Sequence, residues 1–179
     1  MDHLENAKTI RLKTHNGKYL TASNDEKSIR QKRDGSSVNA LWAVEFLDGQ
    51  QYLRLKSCYG KYLTASNVPL LPKVTGSRKV MQTLPKKLCS ATEWEAEQDG
   101  SLYQIRLKTR YGHFLRPYGG IPPWRNSVTH DVPHRKKATL WEIEIMETHK
   151  KALPAAVPAP VPNFAHITKA FSCNFTEPI

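Results

Sequence analysis

An all-β fold built from three copies of one unit is predicted by three observations: a near-verbatim internal repeat, period-two alternation within it, and a tryptophan closing each copy. Residues 11–24 read RLKTHNGKYLTASN and residues 54–67 read RLKSCYGKYLTASN, identical at eleven of fourteen positions. Residues 106–117, RLKTRYGHFLRP, are a more divergent third copy, so the spacings are 43 and then 52 residues. Such self-similarity marks one supersecondary unit used repeatedly. A propeller closes with about four to eight blades, and a helical solenoid conflicts with strand-like alternation. What remains is a closed barrel, which removes its sheet edges. With threefold repetition that is a β-trefoil: a barrel of six strands and a cap of three hairpins.

Each element follows from local pattern. Ile10 and Leu12 alternate with Arg11 and Lys13, as in a half-buried strand. Asn16-Gly17 signals a tight primed hairpin turn, because both residues tolerate positive φ. Lys18 to Thr21 then returns as a second strand. A third strand is expected over residues 28–33, ended by Asp34-Gly35, and a fourth over 41–47 with Trp42, Val44 and Phe46 on one face. The second repeat places its third and fourth strands at 79–84 and 92–98, the third repeat at 126–131 and 140–146. Trp42, Trp94 and Trp141 occupy equivalent closing positions and are expected to be buried alike. Insertions at 68–78 and 117–126 are Pro/Gly-rich, as surface loops are.

The trefoil is expected over residues 1–151, in repeats of about 8–49, 50–100 and 101–151. Residues 152–163 hold four prolines and read as an extended linker. Beyond them Phe164, Ile167 and Phe171 form a stripe that suits either a short docking helix capped by Asn163 or a frayed tail.

The net charge of +11 favours an acidic partner: acidic protein, nucleic acid or an anionic membrane surface. All of it belongs to residues 1–151, with 26 Lys and Arg against 15 Asp and Glu. No basic segment followed by an apolar run opens the sequence, and no stretch approaches the ~18 apolar residues of a membrane span. A cytoplasmic location is expected, with nuclear entry left open. Cys58, Cys89 and Cys173 lack metal-ligand spacing and read as reduced thiols. Without a secretory signal, the glycosylation acceptor at Asn174 is expected to stay idle.

The segments IRLKTHNGKYLTAS, LRLKSCYGKYLTASNVPLL and above all GIPPWRNSVTHDVPH (residues 120–134) resemble the plant proteins grouped as domain of unknown function 569. The resemblance covers residues 1–147 and omits the Pro-rich tail. It implies a β-trefoil related to fascin and a place in the actin-crosslinking superfamily. It supplies no catalytic residues.

Positions alike in all repeats are expected to serve the architecture, and those that break the pattern are better functional candidates. Trp124, Arg125 and Asn126 lie in a loop absent from the other repeats. A rigid Pro-Pro-Trp presenting an aromatic beside a guanidinium has the composition of a recognition hot spot. The competing reading has Trp124 plug the open end of the barrel, with Asp131 pairing Arg125 or Arg135. Arg30, Lys32 and Arg33, with His134, Arg135, Lys136 and Lys137, form basic clusters expected either to solvate a face or to steer an acidic partner. Pro133 rules out a helical metal pair from His130 and His134. Ser127, His130 and Asp131 lack the nucleophile elbow of a hydrolase. The expected function is therefore a non-enzymatic binding module, without cofactor or metal, that docks on an acidic protein surface such as actin. The alternatives are carbohydrate binding and generic polyanion binding. Against a ricin-type lectin, Ala40, Thr92 and Thr139 stand where such repeats carry Gln before the Trp.

Deleting residues 152–179 is expected to shift the thermal midpoint by less than about 4 °C, because a Pro-rich linker adds little to a closed barrel. A larger drop in a calorimetric melt means that the Phe164/Ile167/Phe171 stripe packs on the trefoil.

Overall fold

The computed structural model describes residues 2–47, 49, 51–71, 76–132 and 136–149, with the side chains of Asp2, His3 and Lys136 excepted. The tail, Cys173, His134 and Arg135 lie outside the described residues. A single helical turn, α1 (Asp2–Glu5), precedes twelve strands. The first repeat comprises β1 (Ala7–Lys13), β2 (Tyr19–Ala22), β3 (Ile29–Lys32) and β4 (Trp42–Phe46). The second comprises β5 (Tyr52–Lys56), β6 (Tyr62–Pro69), β7 (Arg78–Thr83) and β8 (Trp94–Gln98). The third comprises β9 (Gln104–Lys108), β10 (Phe114–Pro117), β11 (Val128–Asp131) and β12 (Trp141–Thr148). A short 3-10 turn leads into each fourth strand, at Val38–Ala40, Ser90–Thr92 and Lys136–Thr139.

Six strands close on themselves. β1 pairs β4, β4 pairs β5, β5 pairs β8, β8 pairs β9, β9 pairs β12, and β12 returns to β1, all antiparallel. The hairpins β2–β3, β6–β7 and β10–β11 stand off this ring as a cap. The fold is a β-trefoil, as the repetition predicts.

The turn after each first strand is not the two-residue primed turn expected from Asn16-Gly17. Among the described residues, positive φ outside glycine is confined to Glu26 and Asn126, so Asn16 lacks the conformation that turn requires. Instead Gly17 N–H donates to Thr14 O at 2.9 Å and Thr14 N–H to Lys18 O at 2.7 Å, which makes a three-residue loop with Gly17 in the left-handed region at φ 70°. The same bonds recur at Ser57–Lys61 and Thr109–His113, with Gly60 and Gly112 at φ 71° and 79°. Only the glycine is obligatory in this loop, which explains why Tyr replaces Asn in the other repeats.

Burial alternates along the barrel strands, as in Ile10/Leu12, Leu53/Leu55 and Ile105/Leu107, and these residues form one core. Trp42, Trp94 and Trp141 are all fully buried. Each indole N–H donates to the carbonyl of a second-strand leucine in its own repeat: Leu20 at 3.0 Å, Leu63 at 2.9 Å and Leu115 at 3.1 Å. The indoles thereby tie each hairpin to the barrel below it while filling the core. Leu4 of α1 joins that core, a contribution the sequence pattern did not signal.

On the outside, cations of the first strands meet carboxylates of the closing strands. Lys56 pairs with Glu45 at 3.0 Å, Lys108 with Glu97 at 2.8 Å and Lys13 with Glu144 at 3.7 Å. Arg106 meets Glu97 and Asp99, and Arg54 lies 2.8 Å from Glu93. Glu93 also receives Arg110 at 2.6 Å. Burial opposes its ionisation most, but the two guanidiniums together outweigh it and hold the carboxyl below its usual range. Exposed pairs of this kind contribute roughly 0–1 kcal/mol each. Their larger consequence is that the strand cations are neutralised in place.

Replacing Trp94 with Ala should cost about 3–5 kcal/mol in chemical denaturation, the usual range for a buried large aromatic. A loss below about 1 kcal/mol would show that the indole is not needed to tie hairpin to barrel.

Candidate functional site

The cap is fixed by a cyclic exchange of hydrogen bonds. Register places Gln31, Gln82 and His130 opposite Leu20, Leu63 and Leu115, so the three are equivalent positions. All three are buried. Gln31 Nε2 donates to Tyr118 O at 3.1 Å and Ser127 O at 2.7 Å, in the third repeat. Gln82 Nε2 donates to Ser23 O at 3.0 Å and Ser28 O at 3.3 Å, in the first. His130 Nε2 meets Ser66 O at 2.8 Å, in the second. Ladder contacts between Ser28 and Met81, Lys79 and Thr129, and Arg30 and Ser127 complete the circuit.

Where the hairpins converge, a depression of about 270 Å³ opens, lined by Arg30, Leu70, Lys79, Met81, Pro123 and Trp124 among others. Two sequence candidates, Arg30 and Trp124, are thus brought to one place from different repeats. Trp124 is half-buried and absent from the barrel core, so it does not plug the barrel. Arg30 Nη1 donates to Ser127 Oγ at 3.2 Å. Among the described residues, neither Arg30 nor Lys79 has a carboxylate within salt-bridge distance. Lys79 and Met81 were not singled out as site residues from sequence. The adjacent Arg78-Lys79 pair is a basic cluster in the sequence, but nothing local gives Lys79 or Met81 a place beside Arg30 until β7 is registered against β3 and β11.

The other candidates are placed differently. Asn126 serves the framework: at φ 70° its carbonyl accepts from Gln31 N–H at 2.8 Å and its Oδ1 from Lys18 Nζ at 2.6 Å. Arg125 is exposed in the same loop, with Nε 3.4 Å from Gly120 O. Lys32 and Arg33 are exposed at the end of β3 and do not line the depression. Lys137 lines a separate cleft with His15, Gln104 and Glu142. His134, Arg135 and the Lys136 side chain lie outside the described residues. Among the described residues no group of three or more His, Cys, Asp and Glu side chains is placed to hold a metal ion.

The third repeat replaces the lysine of the other turns by His113 and the buried glutamine by His130. The two imidazoles meet at 3.1 Å between Nδ1 atoms. His130 donates from Nε2 to the Ser66 carbonyl, so its Nδ1 accepts the Nδ1 proton of His113, a tautomer assignment imposed by the network. Both His130 nitrogens are therefore occupied, and neither faces Ser127 or Asp131 as a triad would require. Asp131 does not pair with Arg125. Its Oδ2 accepts from Ser77 Oγ at 2.8 Å and lies 3.5 Å from Arg116.

Residues 1–144 match the family described as a beta-trefoil domain of unknown function (DUF569). The chain belongs to that family. Solved structures of low identity share the architecture of this DUF569 trefoil. A ricin B-like lectin of Macrolepiota procera, in complex with lactose, has a TM-score of 0.61 at 16% identity, over 78% of this chain and 96% of that one. The designed threefold-symmetric protein ThreeFoil has a TM-score of 0.60 at 17% identity, over 76% and 97%. A mosquitocidal holotoxin reaches 0.64 at 9% identity over 79% of this chain, which spans 17% of the holotoxin's length. At these identities the likeness establishes the fold alone. No curated protein matches the chain. No helix among the described residues is long and apolar enough to cross a membrane.

Burial holds the His130 imidazole below its ordinary value of 6.5, with repulsion from His113 and Arg78 adding to it and the Ser66 carbonyl and Asp131 opposing. Just below pH 6.5 the unfolded chain of this DUF569 trefoil then binds more protons than the folded one. Stability should therefore fall as pH drops below about 6.5. His130→Gln, which installs the residue of the other two repeats, should flatten that slope in denaturant titrations between pH 7 and pH 5. An unchanged slope would assign the acid sensitivity to other groups.

Proposed function

We propose that this trefoil is a non-enzymatic binding module that docks through its cap on an acidic protein surface. The family resemblance to fascin-like trefoils makes an actin filament the first partner to test. The observation that carries the reading is the meeting of Arg30, Lys79 and Trp124 around one depression. Many first-strand cations pair with their own barrel carboxylates, whereas among the described residues these two have none within salt-bridge distance. A half-exposed tryptophan beside two cations offers both an apolar anchor and electrostatic steering. Arg125, Lys32 and Arg33 extend the positive field around the cap without lining the depression.

Co-sedimentation with actin filaments should weaken as salt rises, because exposed charges are screened beyond a Debye length of ~8 Å at physiological ionic strength. Arg30→Glu with Lys79→Glu should weaken it further, chiefly at low salt. Trp124→Ala should reduce affinity about 30-fold at every salt concentration, the effect of losing a 2 kcal/mol apolar anchor. Circular dichroism must first show each variant folded. Equal competition by unrelated DNA moves the reading to generic polyanion binding. Wild-type protein left in the supernatant at low salt rejects actin as the partner.

A further inference from the structure

The seams between neighbouring repeats are built from equivalent parts but do not close alike. Between the first and second repeats, Asn39 Nδ2 donates to Ala22 O at 2.6 Å and lies 3.0 Å from both Asn24 Oδ1 and Tyr59 Oη. Tyr59 Oη in turn donates to Asn24 Oδ1 at 3.2 Å, and its ring packs on the core. This cluster draws the turn of the second repeat against the hairpin of the first.

Between the second and third repeats the same positions carry Asn67, Ala91 and Tyr111. Ala91 has no amide to hold the tyrosine. Tyr111 is 79% exposed, and its hydroxyl has no hydrogen bond among the described residues. The seam stands open as a groove of about 490 Å³, lined chiefly by Asn67, Arg78, Ser90, Tyr111, His113 and His130. That volume lies within the range of small-ligand sites. It shares no lining residue with the cap depression.

The chemistry of the lining is specific. Arg78 Nη1 donates to Asn67 Oδ1 at 2.9 Å and has no carboxylate partner among the described residues. Its remaining N–H donors suit a planar carboxylate. His113 gives its Nδ1 proton to buried His130, so its Nε2 is the ring nitrogen left for a ligand, an acceptor in the neutral tautomer. Asn67 Nδ2 and the Ser90 hydroxyl add further donors. Tyr111 supplies an exposed aromatic face beside them. One charged donor, several neutral donors and acceptors, and a flat apolar platform match a hydroxylated ring that carries a carboxylate. We infer that this groove binds an acidic monosaccharide, a uronate, with its ring against Tyr111 and its carboxylate on Arg78. A neutral sugar leaves the Arg78 charge unused, and a simple anion leaves the platform and the neutral groups unused.

The test uses the full chain with glucuronate, galacturonate, galactose and acetate as probes, followed by amide chemical shifts. A uronate should shift Tyr111, Ala91 and their neighbours and bind more tightly than galactose or acetate. Arg78→Ala should weaken uronate binding about tenfold, as loss of a charge-assisted hydrogen bond does. Tyr111→Ala should weaken it while leaving the spectrum of the barrel residues in place. Ala91→Asn copies the closed seam and should abolish binding by drawing Tyr111 against Asn67. Acetate binding as tightly as the uronates would mean an adventitious ion only and overturns the assignment. So does the absence of uronate-dependent shifts at saturating concentration, or undiminished binding by a folded Ala91→Asn or Tyr111→Ala variant.

Discussion

Three hairpins packed over the end of a barrel turn backbone carbonyls of one repeat toward side chains of another. A carbonyl has two lone pairs, so side chains can add a second donor to Ser23, Ser28 and Ser127, which already accept an N–H within their own repeat, and can supply one to Tyr118 and Ser66. Gln31, Gln82 and His130 do so, each reaching from its own third strand into another repeat. Because the donations run in a cycle, the cap of each repeat is held by a side chain of another. The position of every loop above the barrel, including the one that carries Trp124, is set by this exchange.

The exchange also explains how asymmetry enters. Glutamine offers two donor hydrogens from one nitrogen and serves two carbonyls in the first and second repeats. A neutral imidazole offers one N–H, so His130 serves one carbonyl and turns its other nitrogen to His113. A similar loss occurs at the seam, where an alanine stands in place of the asparagine that holds Tyr59. At the cap one copy loses a polar contact, and at the seams only the first repeat keeps the asparagine, with Ala91 and Ala138 at its place in the others. Withdrawn contacts leave polar groups and aromatic surface available to a ligand.

Charge divides along the same line. First-strand lysines and arginines alternate outward in register with the glutamates of the closing strands, which yields repeated ion pairs around the barrel. Cations of the third strands and long loops have no such facing strand. The excess positive charge is therefore expressed at the cap and the seams, where Arg30, Arg78 and Lys79 lack carboxylate partners among the described residues.

By itself the sequence determined the trefoil, the strand order and the burial of Trp42, Trp94 and Trp141, since repetition and period-two alternation are local properties of the chain. It also singled out Trp124 as a departure from the repeat and Arg30 as part of a basic cluster. The detailed turn geometry escaped it, because Asn-Gly suits more than one loop and only the hydrogen bonds select between them. His130 read as a weak metal or triad candidate because its equivalence to Gln31 and Gln82 is hidden until the third strands are registered. The tertiary structure alone decided that Arg30 and Trp124 share a depression with Lys79, that Asp131 serves Ser77 and Arg116, and that one seam is shut while its counterpart is open. Those outcomes depend on contacts between strands of different repeats. Such contacts exist only once the barrel has closed and the hairpins meet over its end.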